Sequence, residues 1–363
     1  MTREQLRVGV AGCGSIARQV HLPLLQRRRD VKLVAVADSD GEALAEAVRR
    51  NRGAQPYASI EEMLSEAGLD AVVVALPPAL HSSAARAVFE AGLHLYLEKP
   101  MAATLDDGAA VMRAWRSSGR VGVMGFNCRA NPLHLRLREL MRAGRAGTTV
   151  YIQTFLASAA RSLPEWKRQR ASGGGVLLDL GVHHIDLIRF LTGCRITGVR
   201  ASVTSRTSEQ DTALLELQME GGIGGHTFVS LAAAEGDHVE VHGDLARLAV
   251  ARYTSLDVHV TDNPGRGFGV VGRVLRRAGA VRYLARAVAA RRSPLREPGY
   301  AVLLDRFIRA GLTGVAPLDV PDIADGFAAT AVVVAAELSL TTGQMETPTA
   351  FSEFPQQLLQ ATP

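Results

Sequence analysis

The feature that most constrains the fold of this chain is a glycine turn between a predicted strand and a predicted helix. The apolar segment Arg7–Ala11 leads into the run Gly12-Cys13-Gly14-Ser15-Ile16-Ala17. Gly12 permits the tight turn, Gly14 lets the backbone approach a pyrophosphate, and the small Ala17 lets the helix pack closely on the strand. The unpaired N–H groups at the start of the helix can donate to phosphate oxygens. The turn therefore predicts a dinucleotide-binding unit.

The first 125 residues alternate between apolar strands and amphipathic helices. We predict strands at Arg7–Ala11, Lys32–Ala37, Ala71–Leu76, His94–Leu97 and Val121–Gly125. The helices predicted around them are Ser15–Arg28, Gly41–Asn51, Ser59–Ala67, His81–Ala91 and Leu105–Ser117. Continuous apolar strands separated by helices indicate a parallel sheet that is covered on both faces. The predicted fold class is therefore α/β, with a doubly wound Rossmann sheet over residues 1–125.

The rhythm changes after Phe126. Helices are predicted at Pro132–Ala143, from Leu178, at Tyr300–Ala310 and at Pro321–Thr341. The strand-like runs are Thr148–Ala157, Gly198–Arg206, Ala213–Met219, Gly222–Ala232, Asp237–His242, Ala246–Ala251 and Leu256–Val260. Short successive strands joined by tight turns predict an antiparallel sheet. We therefore expect a second, α+β domain over residues 126–345 with a large, mostly antiparallel open sheet, followed by a tail at 346–363.

The second predicted strand ends at Asp38, where the adenosine ribose of a dinucleotide would lie. A carboxylate there accepts hydrogen bonds from both ribose hydroxyls and repels a 2′-phosphate. Ser39 and Asp40 supply no cation that would favour NADP. Asp38 therefore predicts NAD as the cofactor, and the alternative is a solvated turn residue before the next helix.

The formal net charge of +5 comes from one segment of the chain. Nine arginines and no acid lie between Asn263 and Arg296, so the rest of the chain is mildly acidic. This distribution does not indicate a nucleic-acid-binding surface. The longest apolar stretch, Phe327–Leu340, is interrupted by Glu337, and we expect no transmembrane helix.

Cysteine usage bears on metal sites and on the compartment. Cys13, Cys128 and Cys194 are odd in number, far apart and without a CxxC spacing. They indicate neither a disulfide framework nor a zinc site. We therefore predict no metal and a location in the reducing cytoplasm.

Two further motifs accompany the glycine turn. One is Glu98-Lys99-Pro100, and the other is the run from Gly173 to Asp186, GGGVLLDLGVHHID. Together the three motifs resemble the Gfo/Idh/MocA oxidoreductase family, in order and spacing over nearly the whole chain. The resemblance implies a Rossmann domain for NAD, a second domain for substrate binding and oligomerisation as a homodimer or homotetramer, and a sugar-like or cyclitol substrate.

The chemistry of three residues agrees with that resemblance, which carries catalytic roles onto them. His183 has the unperturbed pKa, about 6.5, of a base that can accept the hydroxyl proton while hydride leaves the same carbon. Asp179, four residues earlier, would share a helical face and could orient the imidazole. Lys99 would stabilise negative charge developing on the substrate oxygen. The alternatives are a solvated Lys99, a helix-capping Asp179 and a His183 buried in the core.

Other site residues follow from the glycine turn and from the resemblance. We expect cofactor contacts at Gly12, Gly14, Ser15, Ile16, Asp38, Leu76, Pro77, His81, Glu98 and Lys99. Candidate substrate contacts are Asn127, Trp166, His184 and Asp186. For His184 a position in the core is the favoured alternative. The alternative for Asp186 is an ion pair with an arginine, and the alternative for His81 is a helix cap. The His21-Leu22-Pro23 step is assigned a structural role.

The function these observations favour is NAD-linked oxidation of a secondary hydroxyl of a sugar, amino sugar or cyclitol to a ketone. Three alternatives stay open: a keto-sugar reductase, an NAD-dependent glycosidase and a non-catalytic dinucleotide-sensing regulator. Retention of Lys99, Asp179 and His183 together argues against the sensor. The arginine-rich composition suggests an actinobacterial-type source and antibiotic-sugar biosynthesis, by association only.

The arginine-rich segment is not a recognised feature of the family that the chain resembles. Apolar residues between Val271 and Val288 follow a helical spacing, which predicts a helical insertion over about 264–298. Its basic face could be solvated, could clamp the phosphates of a nucleotide sugar, or could contact a membrane or an acidic partner.

Overall fold

The computed structural model describes residues 5–160, 164–170, 173–263, 293–315 and 319–353, and of Trp166 it describes the backbone only. The chain divides into two compact units. Among the described residues, the first unit holds those up to Phe126, Tyr300–Thr330 and those from Phe351. The second holds Asn127–Gly299 and Ala331–Ala350. Residues 264–292 of the insertion predicted over about 264–298 lie outside the described residues, and the described end of that range holds a 3-10 turn at Pro294–Arg296.

The first unit is built on a six-stranded parallel sheet with the strand order β3-β2-β1-β4-β5-β6. This is the order of a Rossmann sheet, in which the strand order reverses between β1 and β4 while all the strands stay parallel. The strands are β1 Leu6–Ala11, β2 Val31–Ala37, β3 Gln55–Tyr57, β4 Ala71–Val74, β5 His94–Leu97 and β6 Gly122–Met124. The predicted α/β fold class is confirmed.

Strand β3 is the strand of this sheet that the sequence analysis did not predict. It has three residues, it lies at the sheet edge beside β2, and none of its residues is buried. Pro56 cannot donate a ladder hydrogen bond, and proline within a sheet is confined largely to edge strands. A short, exposed, proline-containing strand carries no hydrophobic pattern that sequence reasoning could detect.

The helices of the first unit begin with a departure from the predicted helix Ser15–Arg28. A π-helical turn at Ala17–His21 precedes α1, Leu22–Gln26. Pro23 lacks an N–H and would clash with the carbonyl four residues earlier, and the preceding turn is wider than an α-helical one. The following helices are α2 Gly41–Arg50, α3 Ile60–Glu66, α4 His81–Glu90 and α5 Leu105–Ser118, with a 3-10 turn at Pro78–Leu80.

Residues 300–330 group with the first unit, whereas the sequence analysis assigned them to the second domain. Their contacts within this unit explain the grouping. Phe307 packs edge-on against Tyr96, with ring centroids 5.7 Å apart. The backbone of Asp322 forms a bridge with Val123, at the edge strand β6. The local sequence pattern of residues 300–330 does not show that the chain returns to the first unit.

The second unit is built on a seven-stranded sheet with the order β13-β12-β11-β7-β10-β9-β8. The central pair β7 and β10 is parallel, and the remaining pairs are antiparallel. The strands are β7 Thr149–Ala157, β8 Ile196–Thr204, β9 Thr212–Met219, β10 Gly224–Ser230, β11 Gly236–Gly243, β12 Ala246–Ala251 and β13 His259–Asp262. Strand β9 alternates buried and solvent-facing residues, as expected for a sheet with one buried face. The mostly antiparallel sheet is confirmed.

The helices of the second unit include the one that begins near Leu178. A 3-10 turn at Asn127–Ala130 is followed by α6 Pro132–Arg142 and the short α7 Glu165–Arg168. A π-helical turn at Leu177–Gly181 then leads into α8, Val182–Thr192. The nine residues of α8 from Val182 to Leu191 other than Arg189 are buried.

Two helices close the described chain, α9 Gly299–Thr313 and α10 Ile323–Thr342. By length and composition alone α10 could cross a membrane, with a mean hydropathy of 1.6 over its most apolar window. However, 61% of that window is buried within the protein, as in the core helix of a globular domain. The length and composition of α10 would allow a membrane span, and its burial is that of a core helix.

Candidate functional site

The glycine turn has the geometry that a dinucleotide requires. Gly12 has φ +92°, and a Cβ there would lie 2.4 Å from the carbonyl oxygen of Ala75. Only glycine therefore fits between the ends of β1 and β4. At Gly14 a Cβ would meet no atom within 4 Å, so the backbone faces open space where a pyrophosphate can approach. The turn fits NAD, and Gly12, Gly14, Ser15 and Ile16 would hold its phosphates.

Asp38 follows β2 directly, and its carboxylate is held in place by the backbone. Oδ2 accepts a hydrogen bond from the Cys13 amide at 2.6 Å, and Oδ1 accepts one from the Asp40 amide at 2.9 Å. The carboxylate is thereby fixed beside the glycine turn. Each oxygen keeps lone-pair capacity for a ribose hydroxyl, as the prediction for Asp38 requires.

His81 is the first residue of α4 and is buried. Its Nδ1 lies 2.6 Å from the carbonyl oxygen of Pro100, and its Nε2 lies 2.8 Å from that of Leu76. Burial lowers the pKa of this imidazole, although the two carbonyl contacts oppose the shift. His81 thus connects the chain that leaves β4, at Leu76-Pro77, to the chain that leaves β5, and it does not cap its helix through its side chain.

Glu98 and Lys99 follow β5 at the same carboxyl edge of the sheet. Glu98 is buried, and its Oε1 lies 2.8 Å from Nε2 of the equally buried His21. The Lys99–Pro100 peptide bond is cis. The sequence analysis gave His21 a structural role only. Its place on the widened turn Ala17–His21, facing the residue before Lys99, makes it a partner of the site that was missed.

The segment before α8 explains why three glycines occur in a row. Gly173 and Gly175 have φ +86° and +89°, conformations that other residues rarely adopt. At Gly174 a Cβ would lie 2.5 Å from the carbonyl oxygen of Lys167. The glycines therefore bring the short helix α7 close to the start of the π-helical turn.

Asp179 lies on that π-helical turn and His183 is the second residue of α8. Both oxygens of Asp179 lie near Nζ of Lys167, at 3.2 Å for Oδ1 and 3.1 Å for Oδ2. Lys167 was not among the predicted site residues. π-helical turns occur frequently at functional sites, because the extra residue re-aims the side chains around it.

His183 is 8% exposed, and its Nδ1 lies 3.9 Å from the Sγ of Cys128. Burial raises the pKa of the Cys128 thiol, so the sulfur stays protonated near neutral pH. Cys128 lies on the turn Asn127–Ala130, which was expected to contribute Asn127. The amide oxygen of Asn127 is buried without a hydrogen-bond partner.

The remaining substrate candidates differ in where they lie. His184 and Asp186 are both fully buried. Asp186 forms a bidentate ion pair with Arg129, whose Nε and Nη2 lie 2.6 and 2.5 Å from the two carboxylate oxygens. Nε2 of His184 lies 3.5 Å from Oδ1 of Asp237. Both are therefore placed in the interior rather than where a substrate can touch them. The side chain of Trp166 lies outside the described residues.

Behind His184 and Cys128 lies a buried charge cluster, Asp237, Arg252 and Glu297. The guanidinium of Arg252 lies 2.9 Å from Asp237 and 2.8 Å from Glu297. Burial raises the pKa of Glu297, whereas that of Asp237 is lowered because Arg252 and His184 outweigh the effect of burial. Among the described residues, no group of three or more His, Cys, Asp or Glu side chains could hold a metal ion.

Comparison with known proteins identifies the family. The model of an oxidoreductase family with an NAD-binding Rossmann fold matches residues 6–126, and that of the GFO/IDH/MocA C-terminal domain matches residues 134–249. The chain is 24% identical over 277 residues to scyllo-inositol 2-dehydrogenase (NAD(+)) of Bacillus subtilis strain 168, covering 74% of this chain and 80% of the relative. It is 32% identical over 199 residues to D-glucoside 3-dehydrogenase of Escherichia coli K12, covering 53% and 56%.

Among solved structures, the chain resembles the WlbA dehydrogenase from Bordetella pertussis in complex with NADH and UDP-GlcNAcA. The TM-score is 0.81 at 21% identity, over 96% of this chain and 99% of the other. At that identity the likeness shows the fold. The two family models together span most of the described sequence, and they confirm the resemblance stated above, with NAD as the cofactor. The chain belongs to the Gfo/Idh/MocA family of oxidoreductases.

Proposed function

We propose that this chain oxidises a secondary hydroxyl of a sugar, amino sugar or cyclitol to a ketone, with NAD as hydride acceptor. The observation that carries the proposal is that a chain with an NAD-binding Rossmann unit retains a lysine, a carboxylate and a histidine that could act on a hydroxyl group. Lys99 follows the carboxyl end of β5, and Asp179 and His183 lie on consecutive turns before and in α8. A non-catalytic regulator that only sensed dinucleotides would need neither a base nor a cation to act on a substrate hydroxyl.

The roles of these groups follow from the chemistry. His183 would accept the hydroxyl proton of the substrate as the carbon loses hydride. Lys99 would stabilise the charge that develops on the same oxygen. Asp179 would support the imidazole in its protonated form, since a carboxylate favours a neighbouring cation. NAD, when bound, takes up the hydride at its nicotinamide ring.

The substrate class rests on the named relatives, which are dehydrogenases of an inositol and of a glucoside. Sugars and cyclitols share the required group, a ring secondary alcohol beside further hydroxyls. The fixed carboxylate of Asp38 supports NAD over NADP and therefore oxidation over reduction. A keto-sugar reductase would use the same residues in the reverse direction.

A screen for NADH formation tests the proposal. The purified protein and NAD are mixed in turn with cyclitols, glucosides, amino sugars and nucleotide sugars, and NADH absorbance is followed. We expect NADH and a ketone product in equal amounts with at least one of these classes, and a rate lower by about 100-fold or more with His183→Ala.

Product analysis separates the alternatives. An NAD-dependent glycosidase would release the aglycone of a glucoside without net NADH. A keto-sugar reductase would consume NADH with the ketone but form none with the alcohol. Either result would replace the proposed direction or reaction.

A further inference from the structure

Lysine usage in this chain marks an unexpected residue. The sequence holds 38 arginines and three lysines, Lys32, Lys99 and Lys167. In a chain that uses arginine almost everywhere for a positive charge, a lysine that is not simply solvated stands out. Lys32 is exposed on β2, and Lys99 belongs to the Glu-Lys-Pro motif. Lys167 is the third, on the short helix α7.

The surroundings of Lys167 hold it against the segment that carries the proposed base. Its Nζ lies 3.1 and 3.2 Å from the two oxygens of Asp179, and the Lys167 and Asp179 side chains are 24% and 13% exposed. The amide of Gly174 donates to the Gln169 carbonyl at 3.0 Å, and that of Gly173 donates to Arg170 at 3.0 Å. Backbone contacts therefore keep α7 in register with the turn that bears Asp179.

We propose that Lys167 is a positioning residue of the reaction, which holds the Asp179 carboxylate in place and balances its charge so that His183 stays a neutral base. This inference rests on the proposed role of His183. Asp179 lies on the π-helical turn that leads into α8, four residues before His183, and a carboxylate near an imidazole favours the protonated form of the imidazole. The ammonium of Lys167 offsets that effect while it restrains the carboxylate.

The choice of lysine over arginine has a physical reason. A guanidinium binds a carboxylate through two parallel hydrogen bonds and occupies both oxygens in the plane of the group. An ammonium is a compact point charge without a planar fork, so it does not fix the plane of the carboxylate that it binds. Lys167 can therefore neutralise Asp179 and still let its carboxylate turn toward another donor.

Several other ionisable groups surround the start of α8. On the elements packed against it they are Cys128, Arg129, His134, His184, Asp186, Asp237, Arg252 and Glu297. Their charges pair largely among themselves, as Arg129 does with Asp186 and Arg252 with Asp237 and Glu297. None of them changes when Lys167 is replaced, so a comparison of variants isolates the Lys167–Asp179 pair.

The experiment is a titration of His183 by nuclear magnetic resonance in protein labelled at histidine, with the signal assigned by its loss in His183→Gln. The variants are Lys167→Met, Lys167→Arg and Asp179→Asn, and the matched control is Arg168→Met, an exposed neighbour. We expect Lys167→Met to raise the titration midpoint of His183 by about half a pH unit or more, because the carboxylate is no longer balanced. Arg168→Met and Lys167→Arg should leave the midpoint near that of the wild type.

Activity provides the second measurement. In Lys167→Met the acidic limb of the kcat/KM profile should move to higher pH, and in Lys167→Arg kcat should fall with the limb unmoved. In an Asp179→Asn background, Lys167→Met should have no further effect if Lys167 acts through Asp179. A His183 midpoint that is the same in Lys167→Met as in the wild type overturns the inference. If no substrate is oxidised, the proposed function fails, and the titration still decides the role of Lys167.

Discussion

Three buried histidines show at the residue scale how the surroundings decide what one side chain does. His81 lies between two backbone carbonyls and connects the chain segments that leave β4 and β5. His21 faces the carboxylate of Glu98 at 2.8 Å, and Glu98 is the residue that precedes the proposed catalytic lysine. His183 has a protonated thiol at its Nδ1 and is close in sequence to a carboxylate that is paired with lysine. Of the three, His183 is the most exposed, at 8% against 1% for each of the others, and a residue that exchanges a proton with a substrate must be reachable.

The first prediction concerns the proposed base and cation. His183→Ala or Lys99→Ala should lower kcat by about 100-fold or more, because each removes a group that acts on the reacting oxygen. Asp179→Ala should have a smaller effect if it only supports the imidazole. Calorimetric NAD affinity serves as the control and should change little in His183→Ala and Asp179→Ala. Near wild-type turnover in either of the first two variants would contradict the assigned role.

The second prediction concerns cofactor choice. Asp38→Ala removes the carboxylate that would bind the ribose hydroxyls and repel a 2′-phosphate, so NAD affinity should fall and NADP affinity should rise. Titration calorimetry with both dinucleotides measures the two changes. If the wild type binds NADP as tightly as NAD, then Asp38 does not discriminate between them.

At the scale of elements, each unit carries a candidate site residue on a π-helical turn. A π-helical turn carries His21 in the first unit, and a second one carries Asp179 in the other. Glycines with positive φ precede both, at Gly12 and at Gly175. In each unit, a glycine close to another part of the backbone precedes the π-helical turn: Gly12 lies against Ala75, and Gly174 lies against Lys167. The sequence shows the glycines, but it does not show that the turns after them are widened.

The third prediction separates two roles of glycine within the dinucleotide turn. Gly12→Ala should destabilise the first unit by roughly 1–3 kcal/mol or more, because it combines strained backbone with a clash against Ala75. Gly14→Ala should leave the melting temperature nearly unchanged, since a Cβ there meets open space. Its NAD affinity should fall, because the methyl group occupies the space for the pyrophosphate. Thermal melts and NAD titrations of both variants test this, and equal melting temperatures would contradict the first part.

At the scale of the whole molecule, the interior of the second unit carries an unusual amount of buried charge. Arg252 lies between two carboxylates, Asp237 and Glu297, and these ion pairs offset part of the cost of burying the charges. His134 lies beside them, fully buried, and its Nδ1 is 2.8 Å from the carbonyl oxygen of Cys128. Burial lowers the pKa of His134 to about 4, against the opposing attraction of Asp237. The stability of the fold should therefore depend on pH in the acidic range.

The fourth prediction gives the sign of that dependence. His134 is neutral in the folded protein down to about pH 4, whereas in the unfolded chain it is protonated below about 6.5. The unfolded state therefore binds more protons between these values, and the free energy of unfolding should fall as the pH drops from about 6.5 to 4, by up to roughly 3 kcal/mol.

Urea denaturation at several pH values measures this dependence. His134→Gln, which cannot titrate, should show a shallower decline over the same range. Arg168→Met is exposed and should follow the wild type. Identical slopes in wild type and His134→Gln would contradict the assignment to His134.

The sequence by itself determined the Rossmann sheet, the antiparallel second sheet and the residues of the three motifs. These features come from local patterns: apolar strands, helical periodicity, glycines in a turn and charged residues at fixed spacing. The prediction of NAD came from Asp38 at the end of the second strand, which is only 26 residues after Gly12 of the glycine turn. Local patterns of this kind are readable because their partners are close in sequence.

The tertiary structure decided which side chains meet across long separations. Glu98 faces His21, 77 residues away, and Cys128 lies against His183, 55 residues away. Lys167 reaches Asp179 only because glycines bring α7 against the start of the next turn. The grouping of residues 300–330 with the first unit has the same origin. Such pairings depend on packing and burial over the whole fold, and no periodicity in the sequence records them.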